Sequence, residues 1–434
     1  MIAIINARIY DYKNYIENGY VIFDKQIVEV GEMSGFKNKD YKVVDANGQL
    51  LLPTFVCNHA HIYSIFARGL VFPFFNPNNF VQILEQMWWK MDAEINNQTT
   101  YFSGICAGKE FIENGVTTII DHHASGLNIT GSLEKLKKSL VDIHGLRAIL
   151  CFETSDRYPV AKCIKENISF MEKNKSNHIA GLFGMHASMT LSNKTLASIE
   201  KQLDGRPIHI HVAESKMDED DSQKKYKMNI IERLDKYHLV NPNSLIVHGV
   251  AISDKELDIV KNRNTYMVVN TTSNMNNAVG LPDINKYLMH GIKVLVGNDG
   301  LSSNMATEYL NAYYTTHHLN GTPTAMGLNQ ILDMINNSYE YAGNMLGIKL
   351  GKIEKGYEAD FMLIPYQPFT AMDDTNAFGH IFYGIYPSLK PNDVYVEGKL
   401  LLHNRKITSK KVNNLFKDSP KISEELWNRI KEDE

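Results

Sequence analysis

Short, continuous apolar runs alternate with longer stretches of helical period through the middle of the chain. The runs Leu51–Cys57, Val116–Asp121, Leu146–Phe152, Ala180–Met185, Pro207–Val212, Ser244–Val247, Tyr266–Val269 and Lys293–Val296 read as strands. They lack apolar–polar alternation, as expected of strands buried on both faces of a parallel sheet. Between them, Asp92–Asn114 begins with a carboxylate and stops at Gly115, and Ser132–His144 stops at Gly145. Ser192–Leu203, Ser253–Arg263 and Pro282–His290 also read as helices, with Ser253 and Glu256 forming a capping-box pattern. Further helical periods run from Asn304 and from Pro323 towards Leu346. Strands alternating with helices in this number predict an α/β fold, a TIM-type (β/α)8 barrel.

The two ends have a different texture. Ile2–Arg8, Tyr20–Phe23 and Ile27–Val30 are short strand-like runs, broken at Glu17-Asn18-Gly19 and Asp24-Lys25. After Leu346, Asp360–Pro365, Val394–Val396 and Leu400–His403 repeat that pattern. Neither end is large enough for a good core of its own, so the two are expected to pair as one small β-sandwich. The expected division is 1–52 for its first part, 53–350 for the barrel, and 351–434 for its second part with a C-terminal tail. Ile422–Lys431 reads as a surface helix.

Composition narrows the class. With 434 residues, 44% hydrophobic and 22% charged, the chain is globular and long enough for a large core. A net charge of −4 gives no general attraction to nucleic acid or anionic membrane, and the Lys406, Lys410, Lys411 cluster reads as solvated surface. Cys57, Cys106, Cys151 and Cys163 form no CxxC pair and are expected to be reduced thiols of a cytoplasmic protein. The N-terminus lacks a basic region followed by a sustained apolar one, so no signal peptide is expected.

The candidate chemistry lies where the strands end. In barrels of this type the reactive groups collect at the C-terminal ends of the strands. The first strand runs into His59 and His61, which share a face at period two. The second ends in Asp121-His122-His123, and the fourth in His186. The fifth carries His209 and His211 and is followed by Glu214; the sixth ends in His248 and the eighth in Asp299. Histidine makes up 16 of 434 residues, so packing alone does not explain its recurrence at successive strand ends.

At this point the residues resemble a known group. Asn58-His59-Ala60-His61, His211-Val212-Ala213-Glu214, His248 and Asn298-Asp299-Gly300 look like the amidohydrolase superfamily, and within it the branch of metal-dependent deaminases and chlorohydrolases acting on aminated rings. Trp88-Trp89, Asp121-His122-His123-Ala124-Ser125, Cys151-Phe152-Glu153-Thr154 and Ser273-Asn274-Met275-Asn276-Asn277 resemble the SsnA-type aminohydrolases of that branch, which implies a place in purine metabolism. Thr54 and the Thr271-Thr272 pair depart from the usual pattern.

The resemblance implies one divalent metal, Zn²⁺ or Fe²⁺, on His59, His61, His211 and Asp299, with a position left for water. Two-metal relatives use a lysine on strand four, and Ala180–His186 offers none. Glu214 is expected to shuttle the proton, beside Asp299, and His248 to orient substrate and nucleophile. His209 is expected in the barrel interior. Candidate substrate contacts are Arg68, His123, His186, Asn270 and Asn274, with Ser273 at the same strand end. Arg68 has loop-tying as the alternative, and His123 is preferred over His122. Trp88-Trp89 reads either as a lid or as helix packing. The implied reaction is deamination of a purine-like or other nitrogen heterocycle, a small-molecule substrate, by a homo-oligomer, a dimer by resemblance. The alternatives are hydrolysis of a ring amide, a formimino group or a carbon–halogen bond, and, more remotely, a non-catalytic scaffold.

Overall fold

A computed structural model of the protein describes residues 1–73 and 75–432. Two parallel sheets carry the middle of the chain. One holds strands Phe55–Ala60, Val116–His123, Arg147–Phe152 and Ile179–Gly181; the other holds Phe183–Ala187, Ile208–Val212, Leu245–His248, Tyr266–Val269 and Val294–Val296. The run expected as one strand over Ala180–Met185 is therefore two, divided at Leu182, with one piece in each sheet. Single parallel bridges join the sheets at both margins, Thr154 to Met185 and Ala60 to Asp299. At the second margin the Asn298 and Asp299 N–H groups both donate to His59 O, at 2.9 and 3.2 Å.

Both ends of the chain lie in one nine-stranded sheet. Strand Leu50–Pro53 pairs antiparallel with Phe361–Ile364, placing Leu52 opposite Met362. The run read as one strand, Leu51–Cys57, breaks at Thr54: Pro53 ends its strand in this sheet and Phe55 opens the first parallel strand. The break expected at Glu17-Asn18-Gly19 is instead part of strand Tyr15–Phe23. Gly19 absorbs a register shift there, since a Cβ on it would stand 2.6 Å from Ile9 Cδ1.

The helices follow the periodicity, with informative exceptions. Asp92–Asn114 is not one helix. Trp89–Glu94 ends at Ile95, and Asn97–Glu113 restarts behind Asn96, whose side chain accepts from the N–H groups of Gln98 and Thr99. The Ser253–Glu256 capping box forms as expected. The C-terminal helix runs over Ser419–Glu432 and is more than a surface element. It buries Ile422, Leu426 and Ile430 with Tyr63, Phe66, Met91 and Ile95, and Trp427 Nε1 donates to Phe66 O at 2.7 Å.

One buried ion cluster locks the terminal sheet to the parallel strands. Arg147, at the start of its strand, is fully buried. Its Nε donates to Asp360 Oδ2 at 2.7 Å, Nη2 to Glu358 Oε2 at 2.7 Å and Nη1 to Asn177 O at 2.5 Å. Burial opposes the guanidinium charge, but Asp360 and Glu358 hold it in place. Removing one partner leaves the others buried and uncompensated. Arg147→Ala is expected to destabilise the protein by about 3–5 kcal/mol, read as a lowered denaturation midpoint in urea.

Candidate active site

The strand ends deliver their histidines to one point. His61 Nε2 lies 3.1 Å from His211 Nε2 and 3.1 Å from Asp299 Oδ1. His59 Nε2 lies 3.3 Å from His211 Nε2 and 3.4 Å from Asp299 Oδ1. A tetrahedral ion with ligand bonds near 2.0–2.1 Å spaces its donors by about 3.3–3.4 Å. Four separations among these atoms are close to that spacing, so the cluster can hold a divalent metal ion; His248 also lies close enough to His59, His211 and Asp299 to offer a ligand atom.

Each imidazole is held from behind. His61 Nδ1 donates to His122 O at 2.7 Å and His211 Nδ1 to His186 O at 2.9 Å, which fixes both tautomers with Nε2 free to ligate. His59 Nδ1 meets His209 Nε2 at 2.8 Å, and His209 Nδ1 meets Cys151 Sγ at 3.5 Å, itself 3.5 Å from Asp121 O. A consistent direction runs outward along this chain: His59 donates to His209, His209 to the thiol, and the thiol to the carbonyl. Burial lowers the pKa of His59 to about 4 and pushes His211 well down, the neutral form a ligand needs. At His61 burial is outweighed by Asp299, which pulls the pKa up to about 9; with no cation between them, imidazole and carboxylate pair with each other.

The backbone is bent to aim these groups. Ala213, His248 and Asp299 follow or end three of the strands with φ of 46°, 75° and 56°, a region that costs non-glycine residues energy. Gly297 leaves room for His59: a Cβ there would meet Asn270 Oδ1 at 2.4 Å and His59 Cβ at 2.7 Å.

Around this point lies a small cleft. Its walls include His61, His186, His211, Glu214, Ser273 and Asp299, with Phe80, Leu84, Trp88, Trp89 and Leu301 on the apolar side. Glu214 Oε2 stands 3.5 Å from His248 Nε2. Burial and then the charge of Asp299 push the Glu214 carboxyl well above the usual range, so it holds a proton readily. Asn274 Nδ2 donates to His248 Nδ1 at 3.0 Å, which places the proton of the neutral imidazole on Nε2, towards Glu214. Among the described residues that Nε2 has no other hydrogen-bond partner. Ser273 Oγ donates to Asp299 Oδ2 at 2.5 Å, leaving Oδ1 for the ligand cluster.

The remaining sequence candidates fall elsewhere. Arg68 makes a bidentate pair with Glu110, at 2.8 and 3.1 Å, and ties the loop after the first strand to helix Asn97–Glu113. His123 turns outward to Thr100 Oγ1 at 3.3 Å, and it is His122 that faces inward, its ring 4.6 Å from that of His211. Asn270 is fully buried and does not line the cleft; Asn274 acts through His248. His186 does line the cleft, and Trp88 and Trp89 line it as well as packing. His209, expected in the barrel interior with support of a ligand as the alternative, is the support of His59; Asp92 and Glu153 were not expected as cleft residues. The period-two relation of His209 to His211 placed it on the right face, but not at the right depth to signal its contact.

The Amidohydrolase family model matches residues 50–401. The chain belongs to the amidohydrolase family. This amidohydrolase is 28% identical over 430 residues to the 5'-deoxyadenosine deaminase of Methanobrevibacter smithii, covering 96% of this chain and 95% of that one. It is 27% identical to the 5-methylthioadenosine/S-adenosylhomocysteine deaminase of Thermococcus sibiricus, covering 89% and 93%. Among solved structures it resembles a zinc-bound adenosine deaminase from Xanthomonas campestris, with TM-score 0.84, 19% identity and 98% of each chain covered. The zinc complex of atrazine chlorohydrolase from Arthrobacter aurescens TC1 aligns with TM-score 0.80 at 17% identity, over 98% and 100% of the chains.

His61→Ala or Asp299→Asn in this amidohydrolase is expected to lower bound metal from about one per chain to well below a tenth, whereas Arg68→Ala retains it. Inductively coupled plasma mass spectrometry of the purified proteins reads the difference. Asn274→Ala frees the His248 ring without touching a ligand. Its expected effect is full metal content with kcat lowered by about 10²-fold, a typical loss for one misaligned group at a reacting centre.

Proposed function

We propose that this chain is a mononuclear metal-dependent aminohydrolase that removes an amino group from a purine-like or other nitrogen heterocycle and releases ammonia. The observation that carries the reading is the conjunction of the four ligand atoms with Glu214 and His248 around one point of the cleft. When bound there, a divalent ion supplies an activated water as nucleophile at neutral pH. The protein's own groups do the rest. Glu214, disposed to hold a proton, would give it to the ring nitrogen as the amine-bearing carbon is attacked; the proton taken up by Asp299 would then go to the departing amine, which leaves as ammonia, while the new hydroxyl returns its proton to Glu214. His248, with its proton on Nε2, donates to the attacking oxygen and fixes its approach. Asp299, one oxygen held by Ser273, takes up the proton lost by the water. Trp88, Trp89, Phe80 and Leu84 offer flat apolar surface to a ring.

The relatives named as deaminases of adenosine derivatives support the purine-like substrate. We read the parallel strands of residues 53–350 as a (β/α)8 barrel, supported by the bridges at both margins, and the segments 1–52 and 351–434 as one sandwich. Among the described residues no helix is long and apolar enough to cross a membrane. A cytoplasmic homo-oligomer is the expected working form, which light scattering on the purified protein checks.

A screen for ammonia release across purines, purine nucleosides and pterins is expected to find a substrate. On it, Glu214→Gln keeps the metal and lowers kcat by about 10²–10⁴-fold. No ammonia from any member by the metal-loaded protein, or full activity in Glu214→Gln, would contradict the reading.

A further inference from the structure

The cleft has a second pair of carboxylates that the hydrolytic steps do not use. Asp92, on helix Trp89–Glu94, and Glu153, just after strand Arg147–Phe152, both line it and are 2% and 1% exposed. Arg157 joins them: Nη1 donates to Asp92 Oδ2 at 3.1 Å and Nη2 donates to Glu153 Oε1. The same guanidinium lies over the rings of Trp89 and Tyr158, 5.2 and 4.9 Å from their centroids. One positive charge thus serves two buried carboxylates, and the wall is one charge short of neutral when both are ionised.

Two further facts point to an incoming group. Among the described residues Asp92 Oδ1 has no hydrogen-bond partner within ordinary distance, although the Tyr63 hydroxyl acts on the same carboxyl, and a ligand donor would supply one. His186, on the same wall, adds an acceptor. The Thr190 hydroxyl donates to Ala187 O at 3.1 Å, so it receives the Nδ1 proton of His186 at 2.7 Å and leaves Nε2 with a lone pair. Burial pushes both carboxyls up, Glu153 to about 8, which agrees with a pair that lacks a second counter-charge. Asp92, Glu153, Glu214 and Asp299 all line the cleft, and among the described residues lining it there is no lysine or arginine.

We propose that the Asp92–Glu153 wall selects the substrate by charge: the site takes aminated heterocycles that are neutral or carry an ammonium- or amidinium-type cation, and rejects those bearing phosphate or carboxylate. This rests on the heterocycle-deaminase reading. An anionic substituent against this wall would face Asp92 and Glu153, with the one guanidinium there, Arg157, already committed to both. A cationic or N–H-rich substituent instead completes the pairing that Asp92 Oδ1 lacks.

The test uses one scaffold with three charges: adenosine, 5'-amino-5'-deoxyadenosine and AMP, on the metal-loaded full chain. Binding is followed by tryptophan fluorescence, since two of the three tryptophans, Trp88 and Trp89, line the cleft. Ammonia release is measured in parallel. The ammonium analogue is expected to bind about tenfold more tightly than adenosine, and AMP about tenfold or more weakly. Asp92→Asn should shrink the ammonium advantage to about threefold or less, and Glu153→Gln provides the same comparison if the first variant does not fold. Binding in that order supports charge selection whether or not ammonia is released, and the deaminase reading is tested separately by the wider screen. AMP handled as readily as adenosine, or an ammonium advantage that survives both variants, would overturn charge selection. Absence of binding by all three would overturn charge selection as stated for this scaffold, and ammonia release from another member of the screen would leave the deaminase reading in place.

Discussion

The structure turns on a buried carboxylate at the strand ends. Asp299 is forced into a cluster of imidazoles whose burial drives most of them neutral, and only His61 is drawn into a charged pairing with it. Three Nε2 atoms and one carboxylate oxygen, with four separations of 3.1–3.4 Å among them, satisfy one another poorly and are donors that a divalent cation takes. Much of the surrounding architecture serves to keep those atoms at that separation. The His209–Cys151 chain and two backbone carbonyls hold the rings from behind, Ser273 holds the far oxygen of Asp299, and Gly297 lets His59 pack against the last strand.

Such a cluster needs a stiff frame, and it is built from non-local ties. Leu50–Pro53 belongs to the terminal sheet, yet two residues on the chain is already in the first parallel strand, so the strand bearing His59 is anchored outside the parallel sheets. Arg147 does the same for a third strand through Glu358 and Asp360. The C-terminal helix packs Ile422 and Leu426 against Tyr63 and Phe66, in the stretch directly after His61. The end of the chain thereby braces the loop that follows the first two ligands.

Much of this was legible in the sequence because strand patterning and strand-end chemistry are local signals. The apolar runs located the parallel strands to within a few residues, and His59, His61, His211 and Asp299 stood where those runs ended. What was not legible depended on phase and on partners distant in sequence. His122 and His123 are adjacent, and which one faces inward is set by the strand's phase against its neighbours, not by composition. Arg68 looked like a substrate group because its partner Glu110 lies a helix away. Asp92 and Arg157 carry no motif, the Cys151–Thr154 stretch gave Glu153 no role, and only the fold joins the two carboxylates to one guanidinium beside the cleft. The division at Leu182 escaped notice because an apolar run does not report which of two sheets it pairs with.

The central claim is the identity of the inner shell, and metal-edge X-ray absorption on the purified protein tests it most directly. The account predicts about one metal per chain, with nitrogen and oxygen neighbours near 2.0–2.2 Å, a multiple-scattering signature of about three imidazoles and no sulfur shell. A sulfur shell near 2.3 Å, which would draw in Cys57 or Cys151, or a metal with only one or two imidazoles, would contradict it.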